Sequence, residues 1–221
     1  MTTVNHKNQN GMKRLAMLIT LWLGMAAAYA QQQQWASRTT VYDGWQPAVV
    51  TLVSGKTVNQ KQANIFLKNG SLVFKRGFTT MQANMKQIAR VDFADQSYLK
   101  IDSLLAVEID SVGDDKIYEA TVIDLEAFHN MVVANTQVTN LEITDFVNVS
   151  TIELNANEDV RYPLVHHYYF RYRGEMVLVH ERTLYRFVPK EKRRIYKTMI
   201  TMPDFDWTKP ESLKRLLKAI H

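Results

Sequence analysis

The chain has 221 residues, room for one sizeable core or two small ones, and its 46% hydrophobic and 22% charged residues are ordinary for a globular protein. It has no cysteine, which excludes structural disulfides, thiolate zinc sites, thiol nucleophiles and the lipobox anchor of bacterial lipoproteins. The net charge of +5 conceals a split: residues 31–164 carry 11 Lys and Arg against 16 Asp and Glu, residues 165–221 carry 13 against 6.

The first thirty residues read as a secretory signal peptide. Lys13 and Arg14 precede an uncharged apolar run from Leu15 to Ala28, and Ala28-Tyr29-Ala30 stands just ahead of four glutamines. Fourteen residues of helix reach about 21 Å, too short for the roughly 30 Å hydrocarbon core of a bilayer. Cleavage is therefore expected between Ala30 and Gln31, giving a mature chain with no transmembrane segment and a periplasmic or extracellular address. Met12 would serve equally well as a start.

Gln31 to Gln46 is polar and aperiodic, and is expected to be a flexible lead-in that docks near its end. Ala48–Val53 reads as a strand, Ser54-Gly55-Lys56 as a turn and Ala63–Lys68 as a second strand. Asn69-Gly70 is the dipeptide of a type I′ hairpin turn, with Ser71–Lys75 returning. Thr79–Met85 and Ile88–Phe93 complete five short strands. Residues 47–95 are thus expected to form a small bent sheet or an SH3- or Sm-like barrel, or else a meander that pairs with later strands in one larger sheet.

Beyond residue 96 an α+β unit is expected, separate from or continuous with the first. Leu104–Ile109 and Ile117–Ile123 read as strands around a Val112–Asp115 turn, and Asp124–His129 as a short helix. Val138–Phe146 and Val147–Leu154 read as strands, with Asn155–Asp159 as an acidic loop. Val165–Tyr172 and Glu175–Phe187 read as a hairpin across Arg173-Gly174, pairing residues whose numbers sum to 347. That register puts Tyr168, Phe170, Val177 and Val179 on one face. Lys190–Ile200 suits a short basic helix. Thr208 and Glu211 have the spacing of a capping box, Pro210 fits a first helical turn, and Leu213, Leu216, Leu217 and Ile220 make one apolar stripe. Phe205 and Trp207 read as docking anchors. The fold class is therefore β-rich α+β, ending in an amphipathic helix.

Chemistry-bearing patterns are few. The same register sets His167 opposite His180, two imidazoles able to bind zinc or copper if a carboxylate joined them; Glu181 and His166 point to the other face. Asp92, Asp95, Asp114, Asp115, Asp124 and Glu126 have no spacing diagnostic of paired acid–base catalysis, and Ser54, Ser71 and Ser103 lack a nucleophile elbow. No phosphate-cradling glycine loop or nucleic-acid module is present, and no cofactor is implied. Asn148-Val149-Ser150 matches a glycosylation pattern. Lys190, Lys192, Arg193 and Arg194 form a basic run that would face solvent or an anionic lipid or glycan surface.

Two segments carry a resemblance. Thr51 to Gly70 closing on Ile88–Phe93, together with Tyr168-Tyr169-Phe170, its hairpin and the basic and leucine-rich helices, resembles small exported proteins of unknown function of the Bacteroidetes type. The resemblance implies an envelope location and supplies no active-site residues. The function expected is that of an exported, envelope-associated binding or structural protein acting on an envelope partner. The alternative is a hydrolase or carbohydrate-binding accessory using the His167/His180 face.

Overall fold

The computed structural model describes residues 33–135 and 161–221. The strands expected over Val138–Leu154, the Asn155–Asp159 loop and the Asn148 pattern lie outside them. The described residues from Gln34 onward form one compact unit. Its strands are β1 (Trp35–Ala36), β2 (Gln46–Leu52), β3 (Thr57–Phe66), β4 (Ser71–Arg76), β5 (Thr79–Gln82), β6 (Ile88–Phe93), β7 (Ser97–Ile101), β8 (Leu104–Val112), β9 (Asp115–Ile123), β10 (Tyr162–Tyr172) and β11 (Glu175–Leu178). Its α-helices are α1 (Leu125–Asn135), α2 (Glu181–Phe187), α3 (Arg193–Ile200) and α4 (Pro210–Ile220).

All strand pairs among the described residues are antiparallel, in the order β1-β10-β9-β8-β7-β6-β2-β3-β4-β5, with β11 also on β10. The sheet is open and curled into a half-barrel. Residues 47–95 therefore do not close on themselves: β2 lies between β3 and β6, and β6 continues into β7, giving the single larger sheet. Register shifts at Gln46/Ala48, Thr51/Leu52 and Glu108/Asp110 add the local twist that bends such a sheet.

Turn chemistry sets the registers. The type I′ conformation occurs at Arg173-Gly174, where φ is 54° and 84°, and not at Asn69-Gly70. The 347 register is observed from Tyr169↔Leu178 to Tyr172↔Glu175. The β3–β4 loop is four residues long, Leu67 to Gly70, and only Gly70 has positive φ. That loop turns inward: Leu67's carbonyl accepts the Ile123 N–H at 2.7 Å, and Gly70's accepts the Leu105 N–H at 2.9 Å. A Cβ on Gly70 would stand 2.9 Å from Leu104 Cδ2.

Strand β11 stops at Leu178 instead of running to Phe187. His180 becomes the N-cap of α2, its Nδ1 accepting the Arg182 N–H at 3.3 Å. Leu184 and Val188, four residues apart, bury one helical stripe that a strand would have placed on alternating pleats. The lead-in is also more ordered than expected. Trp35 and Ala36 pair with β10, Thr40 bridges Phe66, and the Asn64 side chain ties down residues 42–44. Buried Asn64 accepts from the Tyr42 N–H (3.1 Å) and donates to the Tyr42 and Gly44 carbonyls (3.0 Å each).

Helix α4 closes the largest core cluster. Leu213, Leu216, Leu217 and Ile220 are at most 1% exposed and pack with Ile117, Phe170, Tyr172 and Val177 of the sheet. Each such side chain contributes roughly 1.5–3 kcal/mol by leaving water. Tyr172 Oη donates to the Ile220 carbonyl at 2.8 Å, one of the four that a helix end leaves without an internal partner. Phe205 and Trp207, edge-to-face on each other, pack against this cluster as anchors. The capping box does not form: Lys209 is the N-cap without a side-chain bond, and the Thr208 hydroxyl donates instead to Asp206 at 2.7 Å. Pro210 at the first helical position starts the helix one residue later than the Thr208 reading required.

Leu216→Ala is expected to cost about 2–5 kcal/mol. Gly70→Ala is expected to cost at least about 1 kcal/mol, from its positive φ and the Leu104 contact. Urea unfolding midpoints measure both.

Candidate functional site

Two features stand out on this frame: a cleft on the concave face and a basic pair of helices. The concave face carries alternate residues of β7 to β10. Register sets Tyr98 beside Val107, Val107 beside Glu119, Glu119 beside Tyr168 and Thr121 beside His166. Helices α2–α4 cover one end of the face. The inward loop Leu67–Gly70, with α1, covers another: Leu67, Ile123, Phe128 and Tyr162 form one cluster there. Between these covers, residues 35–41 cross the face as a strap and leave a cleft of about 390 Å³ beneath it.

The cleft is apolar at its base and polar at its rim. Ile65, Leu67 and Leu105 are at most 5% exposed, and Val107 and Leu164 continue the apolar surface. Trp35, Arg38, Thr40, Tyr98, Glu119 and Thr121 supply the rim. Arg38 is engaged by an ion pair with Asp43. Tyr42 Oη donates to Asp95 at 3.0 Å and lies 3.5 Å from the Tyr98 hydroxyl. Burial raises both phenols, so they remain hydrogen-bond donors at neutral pH.

Glu119 is the centre of a polar cluster. Its Oε1 lies 2.5 Å from His166 Nδ1 and accepts from Tyr168 Oη at 3.4 Å. Thr121 Oγ1 lies 3.0 Å from the same Nδ1, and His166 Nε2 lies 3.0 Å from Gln34 Oε1. Carboxylate and hydroxyl thus meet the same ring nitrogen. A nucleophile–base–acid relay needs them on opposite nitrogens, so Thr121 is not set up as an activated nucleophile. The cluster instead fixes the carboxylate: Oε1 is committed, while Oε2 has no partner among the described residues.

His167 and His180 do not assemble a ligand set. His167 lies on the opposite face of β10 from His166, and His180 caps α2 with its Nδ1. No group of three or more His, Asp or Glu able to hold a metal occurs among the described residues. The carboxylates noted from sequence are dispersed. Asp92 meets Arg90, Asp95 meets Tyr42, and Asp124 caps α1 through the Ala127 N–H at 2.9 Å. Asp115, 5% exposed, accepts from the Arg173 N–H at 2.7 Å and pairs with His221 at 2.9 Å.

The basic run lies where a helix was expected. Lys190 and Lys192 are in a 3₁₀ turn, and Arg193 and Arg194 open α3. Arg193 is held by packing: its guanidinium lies 4.9 Å from the Tyr185 ring centroid and donates to the Val188 carbonyl at 3.2 Å. Lys197 lies 5.4 Å from the same ring, so Tyr185 of α2 is gripped by α3. Three cations of α4 and its approach are matched to acids, Lys214 to Asp110, Arg215 to Asp204 and Lys209 to Asp206, while Lys218 in the last turn has no carboxylate partner among the described residues. Lys214 and Arg215 hold Asp110 and Asp204 below the usual carboxylate range. Arg182, Arg186, Lys190, Lys192 and Arg194 have no carboxylate partner among the described residues. Phe187 and Ile195 beside them are 38% and 43% exposed.

Set against models of known families, curated proteins and solved structures, the chain matches none of them. The class defined by the structure is a β-rich chain with an open, curled antiparallel sheet and a C-terminal helix.

Burial, then the neighbouring His166, lowers the His167 pKa below its ordinary value near 6.5. The unfolded chain therefore binds this proton more readily than the folded one. The associated stability is complete above about pH 6.5 and is lost as pH falls through the folded value. The melting temperature is expected to fall on acidification from about pH 7.5 to 5.5, and His167→Gln to flatten that fall in a thermal scan.

Proposed function

We propose that this is an exported, envelope-associated interaction protein that docks on an anionic lipid surface through the α2–α3 face. The observation that carries this reading is the contrast in pairing. Lys214 and Arg215 on α4, and Lys209 just before it, are neutralised by acids of this chain, leaving Lys218 alone on that helix, whereas the five cations Arg182, Arg186, Lys190, Lys192 and Arg194 of α2, the 3₁₀ turn and the start of α3 are not. Arg182 and Arg186 lie one turn apart on α2, and Lys190 and Arg194 are likewise four residues apart. Exposed Phe187 and Ile195 lie beside these charges, so headgroup attraction and shallow apolar insertion are available together.

The magnitudes suit reversible binding. A basic side chain near an anionic membrane contributes about 1 kcal/mol, and the attraction decays over a Debye length of about 10 Å at 0.1 M salt. The signal-like N-terminus and the resemblance to exported proteins support the address. Nothing in this reading calls for a cofactor or a reaction.

Binding is expected to vesicles of phosphatidylcholine mixed with phosphatidylglycerol and not to phosphatidylcholine alone, as read by co-sedimentation. Reversing Arg182, Arg186 and Arg194 to Glu is expected to abolish it with the melting temperature unchanged. Phe187→Ser with Ile195→Ser is expected to weaken it about tenfold. Equal capture of both vesicle types would overturn the reading. So would capture by heparin that is indifferent to the Phe187/Ile195 changes, which would make an acidic glycan the partner.

A further inference from the structure

The cleft under the strap has properties that the basic face does not explain. We propose that it binds a small neutral amphiphile, an apolar body carrying a hydroxyl-bearing head, independently of any membrane contact. Its volume of about 390 Å³ lies within the roughly 300–1,000 Å³ typical of small-molecule pockets. The two parts of the ligand follow from the two parts of the lining.

The apolar body is specified by the base. Ile65, Leu105, Val107 and Leu164 converge there from three different strands, and their side chains offer no hydrogen bond. A sugar without an apolar substituent would leave its hydroxyls facing these side chains unsatisfied, at a cost in affinity. Trp35, 47% exposed at the strap, gives the entering group a flat apolar edge.

The head is specified by Glu119 and its neighbours. Oε1 meets His166 Nδ1 and lies 3.4 Å from Tyr168 Oη, whose single proton is shared with the Thr208 carbonyl at 3.2 Å, and Oε2, without a partner among the described residues, is left to accept a hydrogen bond in the cleft. The Thr121 and Tyr98 hydroxyls line the same space and can donate or accept. The several hydroxyls of such a head can pair with these three groups. A ligand carboxylate would bring like charge to Glu119, and Arg38, the one Lys or Arg among the described lining residues, is already engaged by Asp43. Fatty acids are thereby selected against, and a neutral head is selected for.

The test titrates the purified protein by calorimetry with octyl glucoside below its critical micelle concentration, octanoate and glucose. Saturable one-to-one binding of octyl glucoside is expected, with octanoate and glucose each at least about tenfold weaker. Glu119→Gln is expected to bring octanoate within about threefold of octyl glucoside by removing the opposing charge. Val107→Trp is expected to fill the cleft and abolish binding. Should that variant fail to fold, methyl NMR of the unaltered protein gives the same answer: octyl glucoside should shift Val107 and Leu164 and leave Leu213 and Leu216 in place. The proposal is overturned by no saturable binding, by octanoate or glucose binding as tightly as octyl glucoside, or by methyl shifts confined to residues outside the cleft.

Discussion

A curled sheet must keep water off its concave face, and this constraint organises the molecule. The apolar side chains on that face are contributed by strands far apart in sequence, so no single element can cover them. Three separate covers share the work. The N-terminal strands fold over themselves around Ala48, Val50, Ile65, Val91 and Phe93. The Leu67–Gly70 loop and α1 cover the region around Ile123 and Tyr162. Helices α2–α4 cover the face of β8–β10 around Ile117 and Phe170. Removing the third cover would expose the largest cluster, as α4 alone contributes four side chains that are essentially fully buried.

Both candidate sites are by-products of this covering. The cleft is the place where two covers do not meet and only a strap, anchored by Asn64, bridges the gap. The basic face is the outer side of the third cover. Burying Leu184, Val188 and Tyr196 inward obliges α2 and α3 to present Arg182, Arg186 and Arg194 outward. The charge split along the chain becomes intelligible in these terms. Part of the C-terminal positive charge fastens α4, with Lys214 reaching Asp110 on β8. Most of the remainder, on α2, the 3₁₀ turn and α3, is unmatched by carboxylates within the described residues and so available to something else.

How much of this could be read from sequence depended on whether the signal was local. The α4 stripe is a 3.6-residue pattern within eleven residues, and the β10–β11 register follows from one tight turn, so both were legible. Strand β7, five residues with a serine and a lysine between other strands, carries too little pattern to be recognised. The segment after Leu178 misled because its Val, Thr and Tyr content suits a strand, whereas the Leu184/Val188 spacing and a histidine cap decided for a helix. The Asn-Gly signal marked a real hairpin but the wrong loop, because packing against Leu104 and backbone bonds to β8 and β9 favoured a longer one. The cleft was illegible for a related reason. Glu119 and His166 stand on strands joined by no short turn, so no arithmetic of hairpin registers could pair them. Of the histidines that sequence did pair, His167 stays on β10, while His180 lies past the end of β11 and caps α2.

The Asn69-Gly70 turn carries one more consequence. An asparagine followed by glycine is the setting in which the next backbone nitrogen most readily attacks the side-chain amide, releasing ammonia and leaving an aspartate or isoaspartate. Here that amide oxygen is tied to the Ser71 hydroxyl at 2.7 Å, and the Gly70 N–H is given to the Phe66 carbonyl at 2.8 Å. The attacking nitrogen and the carbon it must reach are held in a fixed relation while the loop stays docked. Deamidation at Asn69 would therefore act as a slow chemical clock, advancing mainly in molecules whose loop has opened, and the isoaspartate content of an aged sample would record how often that cover lifts.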